Sequence, residues 1–193
     1  MIRIGTRTSK LAMIQTELVK QKIQEHFPKE KIEIVPIITK GDVILHQPLA
    51  SFGGKGVFTQ EIEQQLLDKT IDIAVHSAKD VPMQLADGLC IGAVLAREDC
   101  RDVLVLREGL SELPAHPVIG TSSRRRVLQG QRLFPDAEFK GIRGNLNTRL
   151  RKLDSGEYDA LILAAAGLIR LGFADRISRY FSVEVGGQAV LGR

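Results

Sequence analysis

An ammonium and a carboxylate side by side, in a loop that leaves a buried strand, make Ile71–Pro82 the stretch of this sequence richest in chemistry. It reads I-D-I-A-V-H-S-A-K-D-V-P. Ile71 to Val75 has the pattern of a short buried strand, and the loop after it carries His76, Ser77, Lys79 and Asp80. In open α/β sheets, ligands sit outside the carboxyl ends of strands. A carboxylate there can relay protons or stabilise a cation that forms on a ligand. Ser and Asp after a strand also serve as helix caps that satisfy backbone N–H groups. On this segment alone both readings stand. His76, following an apolar strand, reads as a packed, hydrogen-bonded histidine.

Four further segments pair hydroxyls or glycines with cations at strand ends. Thr121-Ser122-Ser123-Arg124-Arg125-Arg126 follows a strand and opens a helix. Such a helix start offers N–H groups to an anion, and arginine adds bidentate contacts to carboxylate. Ile142-Arg143-Gly144-Asn145-Leu146-Asn147-Thr148-Arg149 repeats the form, as does Gly5-Thr6-Arg7-Thr8-Ser9-Lys10. Each is also a plain helix cap with a solvated basic face, but two in one half of the chain favour a shared anion site. Gly53-Gly54-Lys55-Gly56 is a glycine turn with a lysine. It lacks the full G-x-x-x-x-G-K-[ST] spacing, which excludes a nucleotide-hydrolysing phosphate loop.

Bulk composition narrows the classes. The chain has 193 residues, 44% apolar and 26% charged, an ordinary globular balance. The net charge of +4 is too small to argue for nucleic acid. With aromatics at 5% and no Trp, stacking platforms for single strands are scarce, so no nucleic-acid partner is expected. No apolar run approaches the ~18 residues of a membrane span, and the N-terminus lacks a signal-peptide layout, so a cytoplasmic protein is expected. Cys90, in an apolar run, reads as core; Cys100, among charges, reads as a surface thiol. Neither they nor the scattered His26, His46 and His116 have metal-ligand spacing.

Strand and helix patterns alternate along the chain. Strands are expected at Arg3–Gly5, Ile32–Ile38, Ile71–Val75, Leu89–Leu95, Val103–Leu106, Val118–Gly120, Glu138–Lys140 and Asp159–Leu163. Pro36 marks its strand as an edge or a bulge. Helices are expected after Ser9, from Thr59 to about Asp68, and over Ser122–Leu133, Asn145–Leu153 and Ala164–Leu171, with Ser9 and Thr59 as caps. The charged run Ala96–Asp102 reads as a crossing between two lobes. Serial alternation of this kind argues an α/β fold with mostly parallel sheets.

Taken together, the motifs resemble porphobilinogen deaminase, also called hydroxymethylbilane synthase. The matching segments are R-I-G-T-R-T-S-K-L-A at 3–12, K-G-D at 40–42, G-G-K-G-V-F at 53–58, D-I-A-V-H-S-A-K-D-V-P at 72–82 and R-E-D-C-R-D at 97–102. They continue with G-T-S-S-R-R-R at 120–126, I-R-G-N-L-N-T-R-L-R-K-L-D at 142–154 and Y-D-A-L-I-L-A-A-A-G-L-I-R-L-G at 158–172. They are collinear and cover residues 2 to about 175.

The resemblance implies two βα lobes similar to type II periplasmic binding proteins, with the active cleft between them. Domain 1 would span 1–98, with 183–193 returning to it, and domain 2 would span 99–182. The implied activity joins four porphobilinogen molecules head to tail, releasing ammonia at each step, to form the linear tetrapyrrole hydroxymethylbilane. It builds on a covalently held dipyrromethane cofactor. Asp80 would be the catalytic carboxylate. Arg7, Ser9, Lys79, Arg125, Arg126, Arg143 and Arg149 would bind the acetate and propionate groups of cofactor and substrate. Thr121, Ser122 and Ser123 would supply further donors, Ser77 and Asn145 complete the binding set, and Lys55 would lie on a mobile loop over the cleft. A monomer is expected, with porphobilinogen and the growing pyrrole chain as its partners.

The sequence also departs from the family pattern. The chain ends at Arg193, before the expected third domain with its cofactor-bearing cysteine, and neither Cys90 nor Cys100 lies in that context. The segment Gly186–Gly192 lacks the proline usual before it, and Ala78, Met83 and Arg124 replace more usual residues. The alternative is a non-catalytic, hinge-closing binder of small carboxylated anions. Asp80 separates the two, because a carboxylate in an arginine-lined cleft repels an anion that is merely bound.

Overall fold

The computed structural model describes residues 1–43, 59–182, 184–185 and 188–189. The chain divides into two compact units, Met1–Ala96 and Arg97–Arg193, and the division falls inside the charged run. In the first unit, β1 (Ile2–Arg7) leads into α1 (Lys10–His26), then β2 (Ile32–Ile37) and the short α2 (Lys40–Val43). After residues outside the description come α3 (Gln60–Leu67) and β3 (Ile73–Ala74). Each of these strands is reached through a helical crossover, so the sheet is wholly parallel, in the order β2-β1-β3. Among the described residues Pro36 lies on an edge strand, where its missing donor interrupts no second ladder. Ser9 caps α1 by accepting from the Ala12 N–H at 3.3 Å. Thr59 precedes α3 as expected, but its hydroxyl makes no cap bond; the Ile62 and Glu63 N–H groups use its carbonyl instead.

Among the described residues of this unit, the buried hydrophobic ones are Ile4, Ile37, Ile62 and Ile71. The expected strand at Leu89–Leu95 does not form: these residues join no ladder among the described residues. Ile91 and Val94 are 65% and 80% exposed. Their β-branched side chains suit a strand, but strand propensity is expressed only against a neighbour. For the same reason Cys90 is exposed rather than core, while Cys100 is half-buried.

The second unit runs β4 (Asp102–Leu106), β5 (Val118–Gly120), α4 (Arg124–Leu133), β6 (Glu138–Lys140), α5 (Leu146–Lys152), β7 (Ala160–Ala164), α6 (Ala165–Arg170) and β8 (Arg179–Tyr180). Its sheet has the order β6-β5-β7-β4-β8. The sheet is mixed, which corrects the expectation of mostly parallel pairing. β5 is parallel to β6 and β7, while β4 is antiparallel to β7 and β8. The physical reason is that β4 and β5 are joined by a loop with no helix, so no crossover constrains β4 to run parallel. Alternation then sorts side chains to two faces. Val103, Val105, Leu161 and Leu163 join one cluster with Ile142, Leu150, Leu153 and Leu168. Leu104, Ala160 and Ile162 join the other with Ile119 and Phe181. β4 and β7 are thus buried on both faces.

The segment 183–193, expected to return to the first lobe, lies mostly outside the described residues. Of it, β9 (Glu184–Val185) and β10 (Gln188–Ala189) are described, paired antiparallel with each other.

Candidate functional site

In the first unit, the parallel ends of β1 and β3 bring two loops together. β1 ends at Arg7, which is half-buried. β3 exits through His76 and Ser77 into a short 3-10 turn, Ala78–Asp80, closed by the Asp80 N–H donating to the Ser77 carbonyl at 2.9 Å. The Ser77 hydroxyl donates to Gln15 Oε1 at 3.0 Å, which ties this turn to α1. Lys79 and Asp80 are left exposed. His76 is half-buried, and burial lowers its pKa below the ordinary imidazole value. The charges of Asp80 and Glu63 oppose that shift and the charge of Arg7 adds to it, which locates all four groups in one neighbourhood. Lys55 and its glycine turn lie outside the described residues, as do Phe52 and Phe58.

In the second unit, the caps and the candidate donors are the same atoms. Thr121 is buried and its Oγ1 accepts from the Ser123 N–H at 3.3 Å. Ser122 Oγ donates to the Ile142 carbonyl at 2.6 Å and accepts from the Ile142 N–H at 3.0 Å, pinning the β5–α4 turn to the β6–α5 turn. Ser123 caps α4, accepting from the Arg126 N–H at 3.4 Å, and Asn145 caps α5, accepting from the Thr148 N–H at 3.0 Å. Gly144, with φ of 109°, supplies the left-handed turn that presents Asn145 to its helix. An open groove of about 610 Å³ is lined by Thr121, Ser122, Arg124, Val127, Leu128 and Gly141.

The arginines are held more firmly than the sequence foretells. Arg125 and Arg126 both donate to Asp102, at 2.8 and 2.7 Å. Arg126 also reaches the Ile162 carbonyl at 3.3 Å, and its Nε is buried without an acceptor among the described residues. Arg149 Nε donates to the Gly144 carbonyl at 2.8 Å. Burial, and next the charge of Arg126, hold the Arg149 pKa below the usual guanidinium value. Arg143 is half-buried.

Asp102 is the participant that motif reading left without a role. The signal was there: it stands in R-E-D-C-R-D and opens the apolar run V-L-V-L. An acid entering a buried strand needs a cationic partner.

The chain is therefore a two-unit α/β protein whose strand-end loops carry guanidinium groups, capping hydroxyls and, in the first unit, an exposed carboxylate. A family model described as porphobilinogen deaminase, dipyromethane cofactor binding domain, matches residues 2–192. The chain belongs to the porphobilinogen deaminase family.

Among solved structures, it is similar to the periplasmic aliphatic sulphonate binding protein SsuA from Escherichia coli, at 14% identity and a TM-score of 0.44, covering 93% of this chain and 60% of that one. The periplasmic VFT2 domain of Bordetella pertussis BvgS matches at 15% identity and a TM-score of 0.47, covering 93% and 75%. An ancestral cationic amino acid solute binding protein, AncCDT-1, matches at 14% and 0.48, covering 99% and 80%. This chain thus spans less than two thirds of the length of SsuA.

The residues present suit the dipyrromethane cofactor of the family. Arg149 is half-buried within electrostatic reach of Arg126 and forms no ion pair among the described residues, and Arg126 Nε lacks an acceptor among them. The carboxylates of a pyrrole would satisfy both. No helix among the described residues is long and apolar enough to cross a membrane.

Proposed function

We propose that this chain acts in the stepwise condensation of porphobilinogen, with release of ammonia, toward the linear tetrapyrrole hydroxymethylbilane. In the second unit Arg125, Arg126, Arg143 and Arg149 bind pyrrole acetate and propionate groups; in the first, Arg7, Ser9, Ser77, Lys79 and Lys55 offer binding groups of their own. Thr121, Ser122, Ser123 and Asn145 hold the turns on which the second unit's arginines stand. Dipyrromethane, when bound, supplies the pyrrole position at which the chain starts. At each addition the substrate's C–N bond breaks, the amine leaves with a proton as ammonia, and a C–C bond forms to the next ring, which loses its own proton. Asp80 stabilises the positive charge that develops on the substrate as the amine departs, and relays the proton.

The observation that carries this reading is the state of Asp80. Its carboxylate is exposed in the turn that follows β3, near His76, and forms no salt bridge among the described residues. It is therefore available to a forming cation, whereas Asp102 is already committed to two arginines.

Asp80→Asn is expected to lower ammonia release from porphobilinogen by about 10²–10⁴-fold. Porphobilinogen affinity, read by calorimetry, should change little. Arg149→Ala should do the reverse and weaken binding about tenfold or more, as the loss of a charge-assisted contact does. Equal turnover by Asp80→Asn and the parent removes Asp80 from the chemistry. A parent chain that neither binds nor consumes porphobilinogen ends the reading.

A further inference from the structure

Asp102 opens β4 with a side chain only 2% exposed, and a carboxylate so placed costs several kcal/mol unless it is paired. Its two oxygens serve different arginines: Oδ2 accepts from Arg125 Nη2 and Oδ1 from Arg126 Nη2. The other terminal nitrogen of each fork is also tied down, Arg125 Nη1 to Gln129 Oε1 and Arg126 Nη1 to the Ile162 carbonyl, both at 3.3 Å. Arg149 brings a third guanidinium within electrostatic reach of Arg126. Among the described residues, Asp102 pairs with Arg125 and Arg126 while Arg149 bonds only the Gly144 carbonyl, so the cluster retains an excess of positive charge. Packing alone does not explain such a cluster, because apolar side chains of similar volume fill buried space at no electrostatic cost. The excess charge and the unaccepted Arg126 Nε are what an anionic ligand would complete.

We propose that Asp102 is a positioning residue: its buried carboxylate holds the guanidinium groups of Arg125 and Arg126 side by side, in place for the carboxylates of a bound pyrrole. This rests on the functional reading above. Asp102 acts through the arginines and need not touch the ligand. Its effect is preorganisation, since two long side chains are ordered before binding and the ligand is spared that entropy.

The test uses the full chain, in two arms. The first needs no ligand. In nitrogen-labelled protein, the guanidinium signals of Arg125 and Arg126 should show slow rotation, unlike those of exposed Arg124, and Asp102→Asn should release them. Averaged signals in the parent overturn the clamp, and this measurement stands even if the variant does not fold. The second arm is calorimetry with porphobilinogen. Asp102→Asn should weaken binding about tenfold, as ordering two freed side chains costs roughly that much. In an Arg125→Ala background the same change should cost markedly less, a non-additivity that general destabilisation does not produce. Additive effects, or tighter binding by Asp102→Asn, overturn the proposal. Failure of the parent to bind porphobilinogen overturns the functional reading instead, and the guanidinium signals then decide the clamp by themselves.

Discussion

The two units build their candidate sites in opposite ways. In the first, a small parallel sheet rests on a core cluster of Ile37, Ile62 and Ile71, and Lys79 and Asp80 stand in solvent. In the second, a five-stranded mixed sheet is covered on both faces, and Arg126 and Asp102 are drawn into the interior with 15% and 2% of their side chains exposed. Charge in the open needs no partner, because water solvates it. Charge inside must be met by an opposite charge or by well-placed carbonyls. The first unit therefore keeps its proposed catalytic carboxylate apart from its core, since Asp80 is exposed and can change without disturbing packing. The second unit couples site and core, because the arginines that suit a ligand also compensate a buried acid.

This contrast can be pressed hardest in the cores. Leu161→Ala, at the centre of the second unit's sheet, should cost about 4 kcal/mol of stability, and Ile62→Ala in the first about 2–3, both within the range of large-to-small core changes. Urea unfolding followed by circular dichroism measures both, and equal costs would erase the distinction between a deep core and a shallow one. Next in size is Gly144→Ala. Its backbone is left-handed, and an added Cβ would lie 2.7 Å from Thr148 Cγ2. A cost of about 1–2 kcal/mol is expected from the conformation alone, with weaker porphobilinogen binding because the Arg149 helix start shifts. A neutral effect would show that this turn is not what presents Asn145 and Arg149.

The smallest effect belongs to the exposed pair of the first unit. The Arg3 guanidinium, bonded to Asp72 at 2.9 and 3.0 Å, holds that carboxyl at about 2, below its ordinary value. A depressed folded-state value means that stability is present above the unfolded carboxyl's pKa, near 4, and is lost as pH falls through it toward 2. Asp72→Asn should flatten that part of the acid-unfolding curve only slightly, because solvent screens the pair. A large flattening would place more of the first unit's stability in surface charge than its exposure allows.

Much of the architecture was readable because its causes are local. Ser9 was recognisable as a cap because it bonds an N–H three residues on, whereas Thr59, read the same way, makes no side-chain cap bond. The continuous apolar runs within Val103–Leu106 and Asp159–Leu163 announced buried strands, because burial on both faces leaves no polar position to alternate with. The positions of Arg7 at the end of β1, Asp80 in the turn after β3, and Arg125 and Arg149 in the helices after β5 and β6 followed from placing motifs after expected strands.

Three features needed the folded chain. Leu89–Leu95 has the composition of a strand, but whether a strand forms depends on a neighbour from elsewhere. The direction of β4 depends on how a loop closes rather than on any residue within the strand. The pairing of Asp102 with Arg125 and Arg126 spans 23 and 24 residues. Periodicity and capping act within a turn or two of chain and so leave their mark in neighbouring letters. Sheet partners and buried ion pairs are chosen by which distant segments arrive together, and only tertiary structure makes that choice.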